Sequence, residues 1–168
     1  ILAVTGQVLP VCTQNAALEA IFADGSRVVG ETAITSAKKD KNLDIRSIRL
    51  LPEDTQALPQ ALQAIREAEL IVLGPGSLYT SIIPNLLVGG VAEALRQSPA
   101  LKLYVLNVMT QDGETEHYSA ADHVRAILKH NGCIDVCLYN TQEIPDKLAA
   151  RYMPEGSEPL RPGPEEFR

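Results

Sequence analysis

The sequence predicts an α/β fold in which a mostly parallel sheet forms the middle of three layers and is flanked by helices, with a β-hairpin near the N-terminus. Short apolar runs alternate with segments of helical spacing from about residue 45 to residue 152, and this alternation is typical of βα units. The runs are apolar on both faces, which favours parallel strands covered by helices. Two strand-like runs joined by the dipeptide Asp24-Gly25 precede them and predict the hairpin.

The hairpin covers about residues 16–34. Its predicted strands are ALEAIF, residues 17–22, and RVVGETAI, residues 27–34, and the Asp-Gly dipeptide between them favours a tight turn. The stretch SAKKDKNLD, residues 36–44, is polar and mixed in charge, and therefore predicts an exposed connection. The run IRSIRLLP, residues 45–52, predicts the strand that follows.

After Pro52 the pattern predicts the βα units of a Rossmann-like sheet. A first helix has its apolar residues on one face, namely Leu58, Ala61, Leu62, Ile65 and Ala68. The strand LIVL, residues 70–73, leads to a second helix over residues 84–97, which Pro84 begins. The strand KLYVLNV is predicted over residues 102–108.

The last units of the predicted sheet follow after residue 118. A third helix is expected from Ser119 to His130, with Ser119 as N-cap and Asp122 as its capping partner, and it ends before Gly132. The strand CIDVCLYN, residues 133–140, and a helix begun at Pro145 complete the series.

Length and composition limit the classes of function. A chain of 168 residues, 45% of them apolar, is long enough for one packed core. We therefore expect residues 1–160 to form part of a single α/β domain and residues 161–168 to form an irregular tail. The net charge of −6 and the aromatic content of 4% argue against nucleic acid as a partner. No apolar run approaches the roughly 18 residues of a membrane span, which predicts no membrane insertion.

The cysteines predict the cellular compartment, and the first residues predict whether the domain is complete. Cys12, Cys133 and Cys137 form no C-x-x-C pair, which favours a reducing, cytoplasmic environment. Cys133 and Cys137 lie an even number of residues apart in a predicted strand, so we expect both on one face as small buried side chains. The chain begins with Ile1, and ILAVTGQVLP is typical of the end of an element, which predicts the C-terminal part of a longer domain.

Two loops at the carboxyl ends of predicted strands are candidates for a ligand site, because open α/β sheets bind ligands there. In GPGSLYTSIIP, glycines at 74 and 76 allow close backbone approach, and hydroxyls at 77, 80 and 81 precede a helix start, which suits phosphate. A tight turn capped by Ser81 explains the same residues equally well. Neither G-x-x-x-x-G-K-[ST] nor G-x-G-x-x-G spacing is present, so the common nucleotide fingerprints do not apply.

The second candidate loop is NVMTQDGETEHYSAADH, residues 107–123. It is rich in hydrogen-bonding side chains, and both a ligand loop and a plain solvated loop account for them. Metal binding by His117 and His123 is disfavoured because no H-E-x-x-H or similar spacing occurs, and the prediction is no metal site. Acyl transfer by Ser77 is disfavoured because the G-x-S-x-G pattern is absent.

Three motifs closely resemble the bacterial gluconeogenesis-factor (YvcK-type) branch of the CofD-like family, namely GPGSLYTSIIPNLLV, NVMTQDGETEHYSAADHV and GQVLP. The other branch of this family contains 2-phospho-L-lactate transferases. The match covers nearly the whole chain up to about Leu160. The resemblance implies a cytoplasmic CofD-like protein that binds a nucleotide sugar, UDP-N-acetylglucosamine being the family's known type of ligand. It also implies a regulatory role in cell shape and in growth under gluconeogenic conditions, with protein partners that are not identified.

By this resemblance, two sets of residues match the ligand loops of the family. Those at the nucleotide phosphates are Gly74, Gly76, Ser77, Thr80 and Ser81. Those of the second loop are Asn107, Thr110, Gln111, Glu114 and Thr115. The implied roles are backbone N–H and hydroxyl groups for the diphosphate, with Gln111 and Glu114 for sugar or base hydroxyls. The G-G-G-T-G turn and D-D-G-G-S segment of the family do not occur in the chain, which implies an incomplete ligand site.

Two other functions stay open on the sequence alone. One is a 2-phospho-L-lactate transferase-like enzyme that transfers a phosphate-linked group from an activated nucleotide, with Mg²⁺ clamping the diphosphate in the full-length protein. The only acidic residues near both loops are Asp112 and Glu114, so no catalytic residue is identified. The other is an oligomerisation scaffold, because an incomplete sheet exposes edges and apolar faces, and we therefore expect a homo-oligomer.

Overall fold

A computed structural model describes residues 5–153 and 156–160, whose strands form two three-stranded sheets. The first sheet is antiparallel in the order β2-β1-β3, with β1 at Ala17–Phe22, β2 at Arg27–Val29 and β3 at Ile45–Leu51. The second is parallel in the order β4-β5-β6, with β4 at Leu70–Leu73, β5 at Leu101–Val105 and β6 at Val136–Leu138. The predicted α/β class, parallel sheet and hairpin are confirmed.

The helices lie between and after these strands. They are α1 at Glu31–Lys41, α2 at Pro59–Glu67, α3 at Ile83–Leu87, α4 at Val91–Gln97, α5 at Ala120–Lys129 and α6 at Asp146–Tyr152. A π-helical turn at Leu78–Ile82 leads directly into α3. Among the helices that the structure describes, none combines the length and the apolar character that a membrane crossing needs.

The hairpin turn is confirmed, but its second strand is short. Asp24 Oδ1 accepts a hydrogen bond from the Ser26 N–H at 2.8 Å, and Gly25 has a φ of +83°. β2 ends at Val29, because Gly30, with a φ of +100°, turns the chain into α1.

The prediction of a strand at residues 31–34 and of an exposed connection at residues 36–44 is wrong, because α1 covers residues 31–41. Its packed face carries Ile34 and Lys38, which are four residues apart and only 0% and 3% exposed. The β-branched residues at 32, 34 and 35 favour a strand locally, yet one helical turn brings Ile34 and Lys38 to the same side. Burial of that side against the sheet outweighs the local preference.

The helix predicted over residues 84–97 is interrupted between α3 and α4. At the break, the Gly89 N–H donates to the carbonyl oxygen of Thr55 at 2.8 Å, and the Ala57 N–H donates to the carbonyl oxygen of Gly89 at 3.0 Å. Gly90 follows with a φ of +90°, which no α-helix contains. The backbone of this break therefore pairs with the segment before α2 instead of continuing the helix.

The capping of α5 is confirmed. Ser119 Oγ accepts from the Asp122 N–H at 3.2 Å, and Asp122 Oδ2 accepts from the Ser119 N–H at 2.9 Å, so the two residues form a capping box. The Gly132 N–H donates to the carbonyl oxygen of Ile127 at 3.0 Å just beyond the helix. α6 begins at Asp146, directly after the predicted Pro145.

Two predicted strands are shorter in the structure. The strand predicted over residues 102–108 is β5, which ends at Val105, so Asn107 lies in the following loop. The strand predicted over residues 133–140 is β6, which covers only residues 136–138. Cys133 therefore lies outside the strand, and both Cys133 and Cys137 are only partly buried. The prediction that both lie on one face of a strand is wrong, although both side chains pack against the hydrophobic core.

The parallel sheet has two different faces. One face packs against helices, and Ile71 and Leu73 of β4 line the same apolar cavity as residues of α2, α3 and α4. The opposite face carries apolar side chains that are 44% to 54% exposed in the described structure, namely Leu70, Val72, Leu101, Val136 and Leu138. Registers of β4 with β5 and of β5 with β6 place these residues on the same side. The apolar pattern on both strand faces is thus confirmed, whereas helix cover is seen on one face.

α5 joins the two sheets through the edge strand β3. The Ile48 N–H of β3 donates to His130 Nε2 at 3.1 Å, and Lys129 Nζ donates to the carbonyl oxygen of Arg46 at 2.6 Å. His130 Nδ1 lies 2.7 Å from the carbonyl oxygen of Ala126, which identifies Nδ1 as the protonated nitrogen. The end of α5 thereby satisfies backbone groups on the outer edge of β3, which pairs with no further strand among the described residues.

We expect acid to weaken the fold through the buried histidines. Burial lowers the pKa of His130 and His123 below the ordinary value of 6.5. The unfolded chain therefore binds protons more readily than the folded chain, and the free energy of unfolding should fall as the pH falls below 6.5. Protonation of Nε2 would also remove the acceptor of the Ile48 N–H. Urea unfolding at pH 7.5 and 5.5 measures the effect.

Two variants separate the contribution of His130 from other effects of pH. His130→Gln keeps an acceptor for the Ile48 N–H but does not titrate, so its loss of stability between pH 7.5 and 5.5 should be smaller than that of the parent chain. His117→Gln changes an exposed histidine and should keep the full loss. An equal loss in His130→Gln and the parent chain would contradict this explanation.

Candidate functional site

Loop 1, residues 74–82, follows β4 and leads into α3. Gly74 has a φ of +75°, and a Cβ at this position would lie 2.9 Å from the carbonyl oxygen of Val105 at the end of β5. Glycine is therefore required where loop 1 passes β5. The N–H groups of Ser81 and Ile82 both donate to the carbonyl oxygen of Ser77 at 3.0 Å, which forms the first helical turn.

Loop 2, residues 106–119, follows β5 and is closed by its own hydroxyl groups. The Gln111 N–H donates to Thr115 Oγ1 at 2.9 Å, and the Thr115 N–H donates to the carbonyl oxygen of Gln111 at 2.8 Å. The Glu158 N–H donates to Thr110 Oγ1 at 2.8 Å, and the Thr110 N–H donates to the carbonyl oxygen of Glu158 at 2.7 Å. Residues 156–160 are thus bound to loop 2, and the tail predicted over residues 161–168 lies outside the described residues.

Asn107 connects the two loops through a pair of hydrogen bonds. Its Oδ1 accepts from the Gly76 N–H at 3.0 Å, and its Nδ2 donates to the carbonyl oxygen of Gly76 at 2.9 Å. The side-chain amide thus pairs with both backbone polar groups of Gly76, in the manner of a neighbouring strand. This pair sets the separation of the loops at the carboxyl ends of β4 and β5.

Glu114 makes a second connection, on the helical side of loop 1. Its Oε2 accepts from the Tyr79 N–H at 3.0 Å, and its Oε1 accepts from Thr80 Oγ1 at 2.5 Å and from Gln111 Nε2 at 3.4 Å. The residue is 1% exposed, and this burial raises the pKa of its carboxyl above the ordinary value. A carboxylate of the protein therefore occupies the first helical turn that the sequence assigns to phosphate.

Helix α1 supports the tip of loop 2 from the side of the antiparallel sheet. Lys39 Nζ lies 2.6 Å from Asp112 Oδ2, and the buried Lys38 Nζ lies 3.4 Å from Glu116 Oε2. A Cβ on Gly113 would lie 2.4 Å from Thr35 Cγ2, so the loop backbone contacts α1 directly. Both carboxylates thus have ammonium partners from α1.

The two loops and α6 line an open cavity of about 540 Å³ at the carboxyl ends of β4 and β5. Loop 2 lines one side with the polar Asn107, Thr110 and Gln111 and the apolar Val108 and Met109. The other side is largely apolar, and its lining residues include Pro75, Ile144, Leu148 and Tyr152. Tyr152 is half exposed and is the aromatic residue of this lining. A largely apolar cavity with a few polar side chains suits a ligand with ring systems and hydroxyl groups.

The residues predicted from the sequence fall into different environments. Asn107, Thr110 and Gln111 line the cavity, and Gly74 and Gly76 flank its Pro75. Glu114 and Thr115 are both 1% exposed and bonded within the loops. Ser77 and Thr80 are partly buried, and Ser81 is exposed at the start of the helical segment. The ligand contacts of all these residues stay predictions.

The contribution of α6 to the cavity is not predicted from the sequence. Tyr152 and Leu148 line the cavity, although they lie more than thirty residues after loop 2 in the chain. With aromatic residues at 4% of the chain, a tyrosine at the end of the helix after the last strand is a usable signal. The helical pattern of IPDKLAARY indicates the helix, yet it does not indicate which loop the helix packs beside.

The described residues offer little to a metal ion. Within residues 5–153 and 156–160, no three His, Cys, Asp or Glu side chains are grouped as metal ligands. His123 is fully buried, and its Nδ1 lies 2.9 Å from the carbonyl oxygen of Ser119. Near the cavity, Asp112 pairs with Lys39 and Glu114 is held by loop 1, so these residues do not fit a Mg²⁺ site.

The sequence profile of the family described as 2-phospho-L-lactate transferase CofD matches residues 1–168. The chain belongs to the CofD family. A gluconeogenesis factor of Bacillus subtilis is 46% identical over 162 residues, which are 95% of this chain and 50% of that protein. A gluconeogenesis factor of Halalkalibacterium halodurans is likewise 46% identical over 162 residues, which are 95% of this chain and 49% of that protein.

Solved structures support the same CofD family assignment. The crystal structure of protein BH3568 from Bacillus halodurans superposes with a TM-score of 0.92 at 43% identity. The superposition covers 98% of this chain and 52% of that chain. The chain therefore spans about half the length of the curated relatives and of the solved structure that it matches. Membership of the CofD family and its gluconeogenesis-factor branch, predicted from the two loop motifs, is confirmed.

Proposed function

We propose that the chain binds a nucleotide sugar of the UDP-N-acetylglucosamine type in the cavity between loop 1, loop 2 and α6. The observation that carries the proposal is the position and lining of this cavity. It lies at the carboxyl ends of two adjacent parallel strands, where open α/β sheets bind ligands. Its volume of about 540 Å³ is within the usual range for small-molecule sites.

The two walls match the two chemical parts of such a ligand. The amide of Gln111 is suited to sugar and base hydroxyls, and the Tyr152 ring gives the base a stacking surface. The diphosphate is assigned to the outer side of loop 1, near Ser77. We place it there because the Glu114 carboxylate already occupies the Tyr79 N–H of the helical turn.

The wider role in this proposal is that of a cytoplasmic regulator that supports cell shape and growth under gluconeogenic conditions. The relatives named gluconeogenesis factor support the metabolic part. Binding without turnover is favoured over a transferase, because Asp112 and Glu114, the acidic side chains of loop 2 that directly follow Gln111, are engaged within the protein. Asp112 pairs with Lys39 at 2.6 Å, and Glu114 is 1% exposed. Self-association and regulatory protein partners belong to the same proposal.

Calorimetric titration with UDP-N-acetylglucosamine tests the function. Gln111→Ala should weaken binding about tenfold, because it removes a hydrogen-bonding amide from the cavity wall. Gln63→Ala is the matched control, since Gln63 is exposed and bonds only Glu67 on the surface of α2 among its described contacts. This control should bind as the parent chain does.

Three results of these experiments would contradict different parts of the proposal. If the parent chain does not bind UDP-N-acetylglucosamine, the proposed function fails for this chain. If it binds but Gln111→Ala and Gln63→Ala behave alike, the ligand lies elsewhere. Turnover of a nucleotide-activated lactate in the presence of Mg²⁺ would support the transferase instead of the regulator.

A further inference from the structure

The carboxylate of Glu114 is placed at an unusual point in the molecule. It is 1% exposed, and it accepts hydrogen bonds from the Tyr79 N–H, the Thr80 hydroxyl and the Gln111 amide. Two of these groups belong to loop 1, and the third lines the cavity from loop 2. The carboxylate thus connects a cavity wall with a backbone turn on the opposite loop.

Burial of this carboxylate is unfavourable by itself. Within the part of the chain that the structure describes, no Lys, Arg or His forms an ion pair with Glu114, and the nearby Glu31 adds a repulsion that favours the neutral form. Burial is the main cause of the raised pKa of this carboxyl, and the bonds from Thr80 and Tyr79 act in the opposite direction. A buried acid without a cationic partner costs stability, and such costs are concentrated at functional sites.

We propose that Glu114 is a positioning residue of the ligand site and that it acts through Thr80 and Gln111 without touching the ligand. The proposal rests on the proposed function and changes the role that the sequence assigns to Glu114 and Thr80. Exposure of 1% leaves the carboxylate no surface for a ligand. Its bonds instead hold loop 1 and the Gln111 amide in one fixed arrangement, and a fixed arrangement lowers the ordering cost of binding.

Thr80 offers a sharp test of this connection because two small substitutions separate its hydroxyl from its volume. Thr80→Val keeps the shape and removes the donor to Glu114, whereas Thr80→Ser keeps the donor. Thr80→Val should weaken the binding of UDP-N-acetylglucosamine by about tenfold, because loop 1 and the Gln111 amide must then be ordered when the ligand binds. Thr80→Ser should bind within about twofold of the parent chain, because its hydroxyl still donates to the carboxylate.

Glu114→Gln tests the other partner. The amide keeps one acceptor but places an NH₂ group against a donor, either the Tyr79 N–H or the Thr80 hydroxyl. If the two residues act as one unit, the double variant Thr80→Val/Glu114→Gln should bind no more than about twofold less tightly than the weaker single variant. Glu93→Gln, on the exposed face of α4, is the control and should leave the affinity unchanged.

A ligand-free measurement makes the test independent of the proposed function. In amide NMR spectra of the whole chain without ligand, Thr80→Val should shift the side-chain amide signals of Gln111 and the backbone signals of loop 2, and Thr80→Ser should restore them. Unchanged loop 2 signals in Thr80→Val would overturn the positioning role. Shifted signals in a chain that does not bind UDP-N-acetylglucosamine would support the connection between the loops while the proposed function fails. Parent-like affinity in Thr80→Val would also overturn the positioning role.

Discussion

Gly74→Ala should destabilise the protein by about 2–5 kcal/mol, the sum of a left-handed backbone cost and a steric overlap. The φ of Gly74 is +75°, a conformation that costs other residues roughly 1–2 kcal/mol. The new Cβ would also lie 2.9 Å from the carbonyl oxygen of Val105 and 3.2 Å from Ile82 Cδ1. The carbonyl belongs to the parallel sheet and cannot move without disturbing β5.

Gly25→Ala is the matched control for this prediction. Gly25 has a similar φ of +83°, but no heavy atom lies within 4 Å of a Cβ at its position. Gly25→Ala should therefore lower the free energy of unfolding only by the backbone cost, about 1–2 kcal/mol. Urea denaturation of both variants measures the difference. Equal destabilisation of the two variants would show that loop 1 can shift to accommodate the new Cβ and that its close approach to β5 is not required.

The α/β class was predictable because it depends on local patterns. The runs at residues 70–73 and 101–105 are apolar at every or nearly every position, and the Asp24-Gly25 turn and the Ser119 capping box are formed by neighbouring residues. Such features depend on a few residues of sequence and are the same in many folds. They require no knowledge of distant contacts.

The wrong predictions concern elements that depend on contacts between residues far apart in the sequence. α1 was missed because Thr32, Ile34 and Thr35 favour a strand, and its packing against the sheet, which is not local, decides the outcome. The break at Gly89 depends on pairing with residues 55–57, more than thirty positions earlier. The sheet that packs against α1 and the residues that pair with Gly89 both lie outside the local sequence from which each helix was predicted.

The candidate site divides in the same way. The two loops were predictable, because glycine and hydroxyl groups after an apolar strand are a local signal. Which residues of the loops face the cavity and which are buried between the loops was not predictable. Glu114 and Gln111 are both polar and three residues apart, yet one is buried under loop 1 and the other lines the cavity. That difference arises from how loop 2 folds onto loop 1.

Asn107→Asp should lower the affinity for UDP-N-acetylglucosamine by at least about tenfold, because it breaks the pairing that sets the distance between the loops. In the parent chain, Nδ2 donates to the carbonyl oxygen of Gly76 at 2.9 Å. The aspartate has the same shape but presents an acceptor there, so two oxygens would face each other in a part-buried place. Loop 1 must then move away from loop 2, which opens the cavity wall.

The chain contains its own control for this substitution. Asn140 makes the same kind of pair, with its Nδ2 at 3.0 Å from the carbonyl oxygen of Gln142 and its Oδ1 at 3.1 Å from the Gln142 N–H, but it is exposed and does not line this cavity. In Asn140→Asp, water solvates the repelling oxygens, so affinity should match that of the parent chain. Calorimetric titration of both variants decides the point. If Asn107→Asp binds as tightly as Asn140→Asp, the Asn107 and Gly76 pair does not shape the site.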